Sequence, residues 1–152
     1  MKVYRIGKKE HATLDGKGAA AYPGRWNKDG IPCLYTSDSP SLAQLEIMVN
    51  TDDWRIFSYK EYVILEIEIA AMDAVKIFEP TDLPKTWDGH LVYPDAQEFG
   101  ASILGDKNVL GFSVPSAIMK LQRNYILNPR SIYCHQVSII QVQPFKLDPR
   151  LI

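Results

Sequence analysis

Cysteine is nearly missing from this chain: Cys33 and Cys134 are the two in 152 residues. Two distant cysteines build no disulfide framework, and the simplest expectation is a reduced, cytoplasmic protein. Histidine is as scarce, and His11, His90 and His135 share no ligand spacing with one another or with the cysteines. No metal site is therefore expected. A dominant charge is also lacking, since 17 basic against 18 acidic residues leave a net charge of −1. That balance argues against nucleic-acid binding through bulk charge and disfavours an RNA-cutting activity. No apolar run approaches the length of a membrane span, and Met1 to Glu10 lacks the apolar core of a signal peptide. Gly16, Gly18 and Gly24 follow neither the P-loop nor the dinucleotide-binding spacing, so the passage through them reads as a tight loop. What remains is an ordinary composition, 46% apolar and 23% charged, in a length suited to one domain over residues 1–152.

The densest pattern runs from Tyr22 to Glu46. It reads as a turn carrying Arg25, a strand over residues 31–36 containing Tyr35, and a helix opening at Pro40. Ser39 supplies an N-cap hydroxyl, and Pro40 stands at the first helical position, where its missing N–H costs nothing. With Leu42 as origin and about 100° per residue, Leu45 and Val49 fall close beside it and Gln44 falls nearly opposite. Glu46 falls about 40° away, on or beside that apolar stripe. A buried carboxylate is expensive, so Glu46 either has a partner in a wet pocket or sits at the helix edge with its head in solvent. Arg25 and Tyr35 are the nearest partners in chain order. Trp26 is expected as a core anchor rather than a stacking platform.

The rest of the chain is read more coarsely. Val3 to Ile6 is a short strand, from which Arg5 either points to solvent or offers its fork to a phosphate. Residues 51–59 read as a connecting loop. Tyr62 to Ile69 is the clearest strand, with Glu66 and Glu68 on its solvated face. Val75 to Phe78 is a further short strand. Residues 79–95 form a proline-rich surface loop, with Trp87 pinning it. A helix is expected over 94–104, a turn at 105–108, and a strand over 109–114 stopped by Pro115. Ser116 either faces a cleft from that strand end or caps a turn. Asn124 and Asn128 close the next segment, with Asn128 as a turn residue before Pro129. One or two strands follow over 132–142.

Taken in order, Val3-Tyr4-Arg5, Gly24-Arg25-Trp26-Asn27, Tyr35-Thr36-Ser37, Leu45-Glu46, the strand 62–69, Val114-Pro115-Ser116, the run Asn124 to Pro129 and residues 145–151 resemble the RES domain. The arginine, glutamate and serine that name that family match Arg25, Glu46 and Ser116. The resemblance covers nearly the whole chain and is weakest around residues 80–95. It implies an α+β fold of small antiparallel sheets with flanking helices, similar to the diphtheria-toxin-like ADP-ribosyltransferases. It implies the toxin of a type II toxin–antitoxin pair, consuming NAD as a substrate with no cofactor by cleaving the bond between nicotinamide and ribose. The products would pass to water, to phosphate or, in the alternative, to a protein acceptor as ADP-ribose. Glu46, Arg25 and Tyr35 would be the catalytic residues, with Arg25 also anchoring the substrate's pyrophosphate or a ribose hydroxyl and Tyr35 orienting nicotinamide. Ser116 would hydrogen-bond the substrate or hold Glu46 in place, and Arg5 and Asn124 would complete the substrate contacts. The implied partner is an antitoxin with an Xre-like helix-turn-helix region, in a complex that a homodimer of this chain would also suit. A binding module that has kept the fold without the chemistry is the competing class.

Overall fold

Alternation along the chain builds a sheet, and the sheet sets where the cleft lies. The computed structural model describes residues 1–152. Its strands are β1 (Lys2–Lys8), β2 (Leu34–Ser37), β3 (Tyr62–Ile69), β4 (Val75–Ile77), β5 (Gly111–Pro115), β6 (Arg123–Leu127) and β7 (Val137–Phe145). Its α-helices are α1 (Lys17–Ala21), α2 (Pro40–Val49), α3 (Ile56–Tyr59) and α4 (Pro94–Leu104). The α+β class agrees with the resemblance. The strands gather into one sheet of order β4-β5-β6-β2-β1-β3-β7, parallel only between β4 and β5, rather than into separate small sheets.

That sheet is nearly divided at its middle. On one side β1 pairs with β3 along its full length, from Lys2↔Glu68 to Lys8↔Tyr62, and β3 pairs with β7. On the other side β2 pairs with β6 through four residues and β6 with β5 through five. Between β1 and β2 there is a single step, Tyr4↔Ser37. Past it the strands part, so Arg5 and Ile6 of β1 and Tyr35 and Thr36 of β2 line a gap rather than a ladder.

The core follows the two-residue period of strands. Ile126 and Leu127 are neighbours on β6 and so point to opposite faces. Ile126 joins Phe112, Val114, Trp26 and Leu104 in one buried cluster. Leu127 joins Val3, Val63, Leu65, Ile67 and Ile69 in the other. Trp26 is 3% exposed and meets Phe99 and Phe112 edge-on, so it is the core anchor its residue type predicts. Trp87 is 6% exposed and pins the loop that carries it. Glu66 pairs with Lys2 beside β1, while Glu68 stays exposed.

Several boundaries differ from the sequence expectation for identifiable reasons. Residues 31–33 do not enter a ladder, because the Asn27 amide draws the Ile31 carbonyl into a turn at 3.0 Å. Residues 51–59 contain the short α3, and the expected tight loop contains α1. On α2 the Ser39 cap is present, its hydroxyl accepting from the Leu42 amide at 3.1 Å. The inward face is rotated, however. Leu42 and Ala43 are buried, Glu46 and Ile47 half-buried, and Leu45 and Val49 exposed. The helix therefore turns Glu46, rather than Leu45 and Val49, toward the protein, and Gln44 is half-buried instead of solvated.

Gly100 on α4 marks the tightest contact of the fold. A methyl group there would stand 1.7 Å from the Trp26 carbonyl oxygen, which backbone cannot yield. Gly100→Ala is expected to lower the unfolding free energy by about 3 kcal/mol through forced separation of α4 from the Trp26 turn. A urea midpoint within error of the unsubstituted protein would show that α4 does not need this approach.

Candidate active site

The parted strands open a cleft of about 480 Å³, floored by β1 and β2 and flanked by α2, the 22–26 turn and the loop around Trp87. That size is in the range of small-molecule sites. Glu46 reaches it from α2. Its Oε1 accepts from the Ser116 hydroxyl at 2.9 Å and from Asn124 Nδ2 at 2.5 Å. Oε2 has no hydrogen-bond partner in the protein. The Ser116 hydroxyl has one proton to give, and its oxygen already accepts from the Ile118 and Met119 amides at 3.1 Å each. Its orientation is therefore locked, with its proton directed at Glu46 Oε1. Ser116 caps a turn and is fully buried, so it meets the cleft only through Glu46.

The opposite wall is organised by Asn27, which is fully buried. Its Oδ1 accepts from the Gly24 amide at 2.8 Å and from the Tyr35 hydroxyl at 2.7 Å. Its Nδ2 donates to the Ala19 and Ile31 carbonyls. The Tyr35 oxygen in turn accepts from the Trp26 amide at 3.0 Å. Gly24 must be glycine, since a Cβ would stand 2.8 Å from that phenol oxygen. Tyr35 thus presents its ring to the cleft while its hydroxyl is engaged in the turn. Burial pushes the Tyr35 hydroxyl well above its usual range and the Cys33 thiol up to about 12.

The two arginines differ. Arg25 directs its fork away from open space: Nη1 donates to the Trp87 carbonyl at 2.9 Å and Nη2 to the Gly89 carbonyl at 2.9 Å, with Leu91 O at 3.5 Å from Nη1. It fastens the loop over the cleft, which Lys120 also holds from the far side through Asp88 at 2.5 Å. The terminal nitrogens expected on a pyrophosphate or ribose are thus occupied by backbone. Arg5 has no hydrogen bond or ion pair within the chain, although it is partly buried in the cleft. Burial, ahead of the opposing influence of Cys33 and Asp15, lowers its hold on the proton. It still carries charge at neutral pH, because arginine starts so high.

The RES domain model matches residues 2–148. This chain belongs to the RES domain family. It is 34% identical over 155 residues to a Toxin Res of Yersinia enterocolitica, covering 99% of each chain. It is 27% identical over 143 residues to a Prs ADP-ribosylating toxin of Sphingobium sp., covering 94% of this chain and 89% of that one. Its fold is similar to the crystal structure of the M. tuberculosis MbcT–MbcA toxin–antitoxin complex, with a TM-score of 0.75 and 18% identity over 95% of this chain and 84% of that one. In this RES domain, Glu46 and Ser116 of the family-naming trio touch directly, while Arg25 stands in the adjoining wall and touches the loop. Asn124 joins them from β6, a strand the sequence reading did not separate. Ser37 and Asn27 stand inside short motifs, where nothing in the sequence singles them out. Their signal, a small polar residue inside an apolar strand or beside a tryptophan, is visible only once burial is known.

Two outcomes follow from the wall residues. Arg25→Ala should release the loop, so that limited proteolysis between Trp87 and Val92 accelerates about tenfold, with Arg25→Lys intermediate because an ammonium cannot span two carbonyls. An unchanged cleavage rate would mean that the loop is held by other contacts. The raised Cys33 and Tyr35 groups stay neutral in the folded protein where the unfolded chain ionises. Their contribution to stability is complete below roughly pH 8.5 and is lost as pH rises through the folded values. Urea midpoints should fall between about pH 9 and 12, and Cys33→Ala should flatten the fall. A parallel decline in that variant would remove Cys33 from the account.

Proposed function

We propose that this chain is the toxin of a toxin–antitoxin pair and that it cleaves the nicotinamide–ribose bond of NAD. The observation that carries the proposal is the state of Glu46, tethered through Oε1 and unbonded at Oε2 in the cleft. Breaking the C1′–N bond sends the electron pair to the pyridinium nitrogen. Nicotinamide therefore leaves neutral and no general acid is needed. The ribose becomes oxocarbenium-like, and a carboxylate beside it stabilises that charge and accepts a hydrogen bond from a ribose hydroxyl. Arg5, charged and without a partner, suits the pyrophosphate. The Tyr35 ring offers nicotinamide a flat neighbour. Phosphate, or water giving up a proton to solvent, then adds at C1′.

Transfer to a protein acceptor is the second reading, favoured by the name of the Sphingobium relative. An antitoxin fits the cleft mouth, where Tyr22, Val49, Val92 and Ile118 stand exposed around the opening. Large apolar side chains gathered at one opening suit a protein cover. The Xre-like helix-turn-helix character of that partner, and a homodimer within the complex, rest on the family resemblance. No helix of the chain is long and apolar enough to cross a membrane.

Mixed with NAD, the purified chain should release free nicotinamide, and Glu46→Gln should reduce the rate at least about a hundredfold. Arg5→Ala should raise KM for NAD about tenfold or more, the worth of one charge-assisted contact. Undiminished turnover by Glu46→Gln would sink the mechanism. Product identity then separates the readings, with free or phosphorylated ADP-ribose for cleavage and labelled protein for transfer.

A further inference from the structure

We infer that Ser37 is a positioning residue for Glu46, acting through Asn124, and that Oε2 of Glu46 is the oxygen that meets the substrate. The inference rests on the reading of the cleft as an NAD-cleaving site. Ser37 is 3% exposed and lies on β2 at the one step where β1 and β2 touch. It faces Asn124 directly across the β2–β6 ladder. Its hydroxyl donates to Asn124 Oδ1 at 2.8 Å. With the amide oxygen so engaged, Nδ2 faces the other way and donates to Glu46 Oε1 at 2.5 Å. Turned over, the amide would set its oxygen against a carboxylate, two acceptors with no proton between them.

The consequence is an unequal carboxylate. Oε1 receives two donors, Asn124 from β6 and Ser116 from the end of β5, while Oε2 receives none. Partial rotation of the carboxylate breaks both bonds at once, so the unbonded oxygen keeps one position. Oε2 is held in one place with its lone pairs open to the cleft. A carboxylate that must meet a ribose hydroxyl and a developing charge gains from such fixing, since a displacement of about 1 Å can cost about a hundredfold in rate. Asn124 is thereby a positioning residue rather than a substrate contact, and Ser37 stands one bond behind it.

The test is a double-mutant cycle in nicotinamide release. Ser37→Ala should lower kcat about tenfold and Asn124→Ala about a hundredfold, with KM for NAD held within about twofold. The double variant should match Asn124→Ala alone, because Ser37 has no other route to Glu46. Ser37→Cys, similar in size with a weak donor, should lie between serine and alanine. Wild-type kcat in Ser37→Ala, or losses that multiply in the double variant, would overturn the inference. A second measurement does not depend on turnover. One Asn124 side-chain amide proton should resonate downfield in the unsubstituted protein and return toward free asparagine in both Ser37→Ala and Glu46→Gln. An unmoved resonance would also overturn it. Absence of nicotinamide release from the unsubstituted chain would remove the NAD reading alone, and the amide resonance would still decide the hydrogen-bond chain.

Discussion

Tyr4 and Ser37 make the only ladder step between β1 and β2, and the architecture turns on that step. One residue further along β1 the two strand groups have separated. Backbone and side chains that would have closed a continuous sheet line a cleft instead. The separation is sustained from both sides. β1 is zipped to β3 over its whole length, and β2 is held by β6. Neither strand can shift toward the other without breaking a longer ladder. Strand pairing in sheets is ordinarily continuous, so an interrupted one at the centre is a place where the fold gives up hydrogen bonds for room.

What fills that room must suit a carboxylate. Glu46 enters from α2 and finds two donors already fixed: a hydroxyl locked by two amides, and an amide locked by a second hydroxyl. Hydrogen bonds to a charged group contribute about 1.5–3 kcal/mol each, enough to offset partial desolvation of one carboxylate. The opposite wall is held by a different amide. Asn27 uses both ends of its amide on the turn backbone and the Tyr35 phenol, which fixes the turn that carries Arg25. The two walls are thus organised by two asparagines, one buried and structural and one at the cleft floor.

The sequence was legible where local rules act alone. The Ser39 cap and Pro40 start of α2, the alternation of β3, the burial of Trp26 and the start of α4 at Pro94 all follow from residue type and spacing. It was less legible where tertiary partners decide. Leu45 and Val49 read as a buried stripe because periodicity reports which residues share a face, not which face meets the sheet. Ala43 and Ile47 share an arc with Leu42 and Glu46, and the sheet selected that arc. The strand β6 was hidden because Asn124, inside it, and Asn128, just past it, read as the close of a segment, with Asn128 as a turn residue. Asn128 does open a turn, its Oδ1 accepting from the Arg130 amide at 3.1 Å, but it is also 1% exposed and donates to the Leu104 carbonyl at 3.1 Å, fastening the end of α4 to the sheet. The nearness of Glu46 to Ser116 came from the family resemblance, since no periodicity relates residues seventy positions apart.

The arginines carry the argument furthest from the motif. Equal charge and a shared cleft would make Arg5 and Arg25 interchangeable as anion anchors, yet their surroundings assign them opposite tasks. Arg25 meets carbonyl oxygens with both terminal nitrogens, so an anion would have to displace backbone acceptors that have no other donor nearby. Arg5 meets none, and a guanidinium partly withdrawn from water without a partner is a cost that a bound phosphate would relieve. With Glu46 on α2 and Arg5 on β1, the cleft offers a carboxylate and a guanidinium free of protein partners from separate elements. NAD carries the complementary pair, a cationic pyridinium ring and an anionic pyrophosphate, and would be oriented by charge with its scissile bond toward the carboxylate. Reversal would set the pyrophosphate against Glu46 and the pyridinium against Arg5, two repulsions in place of two attractions. In this reading the polarity of the cleft, rather than any single contact, selects which end of the dinucleotide is cut.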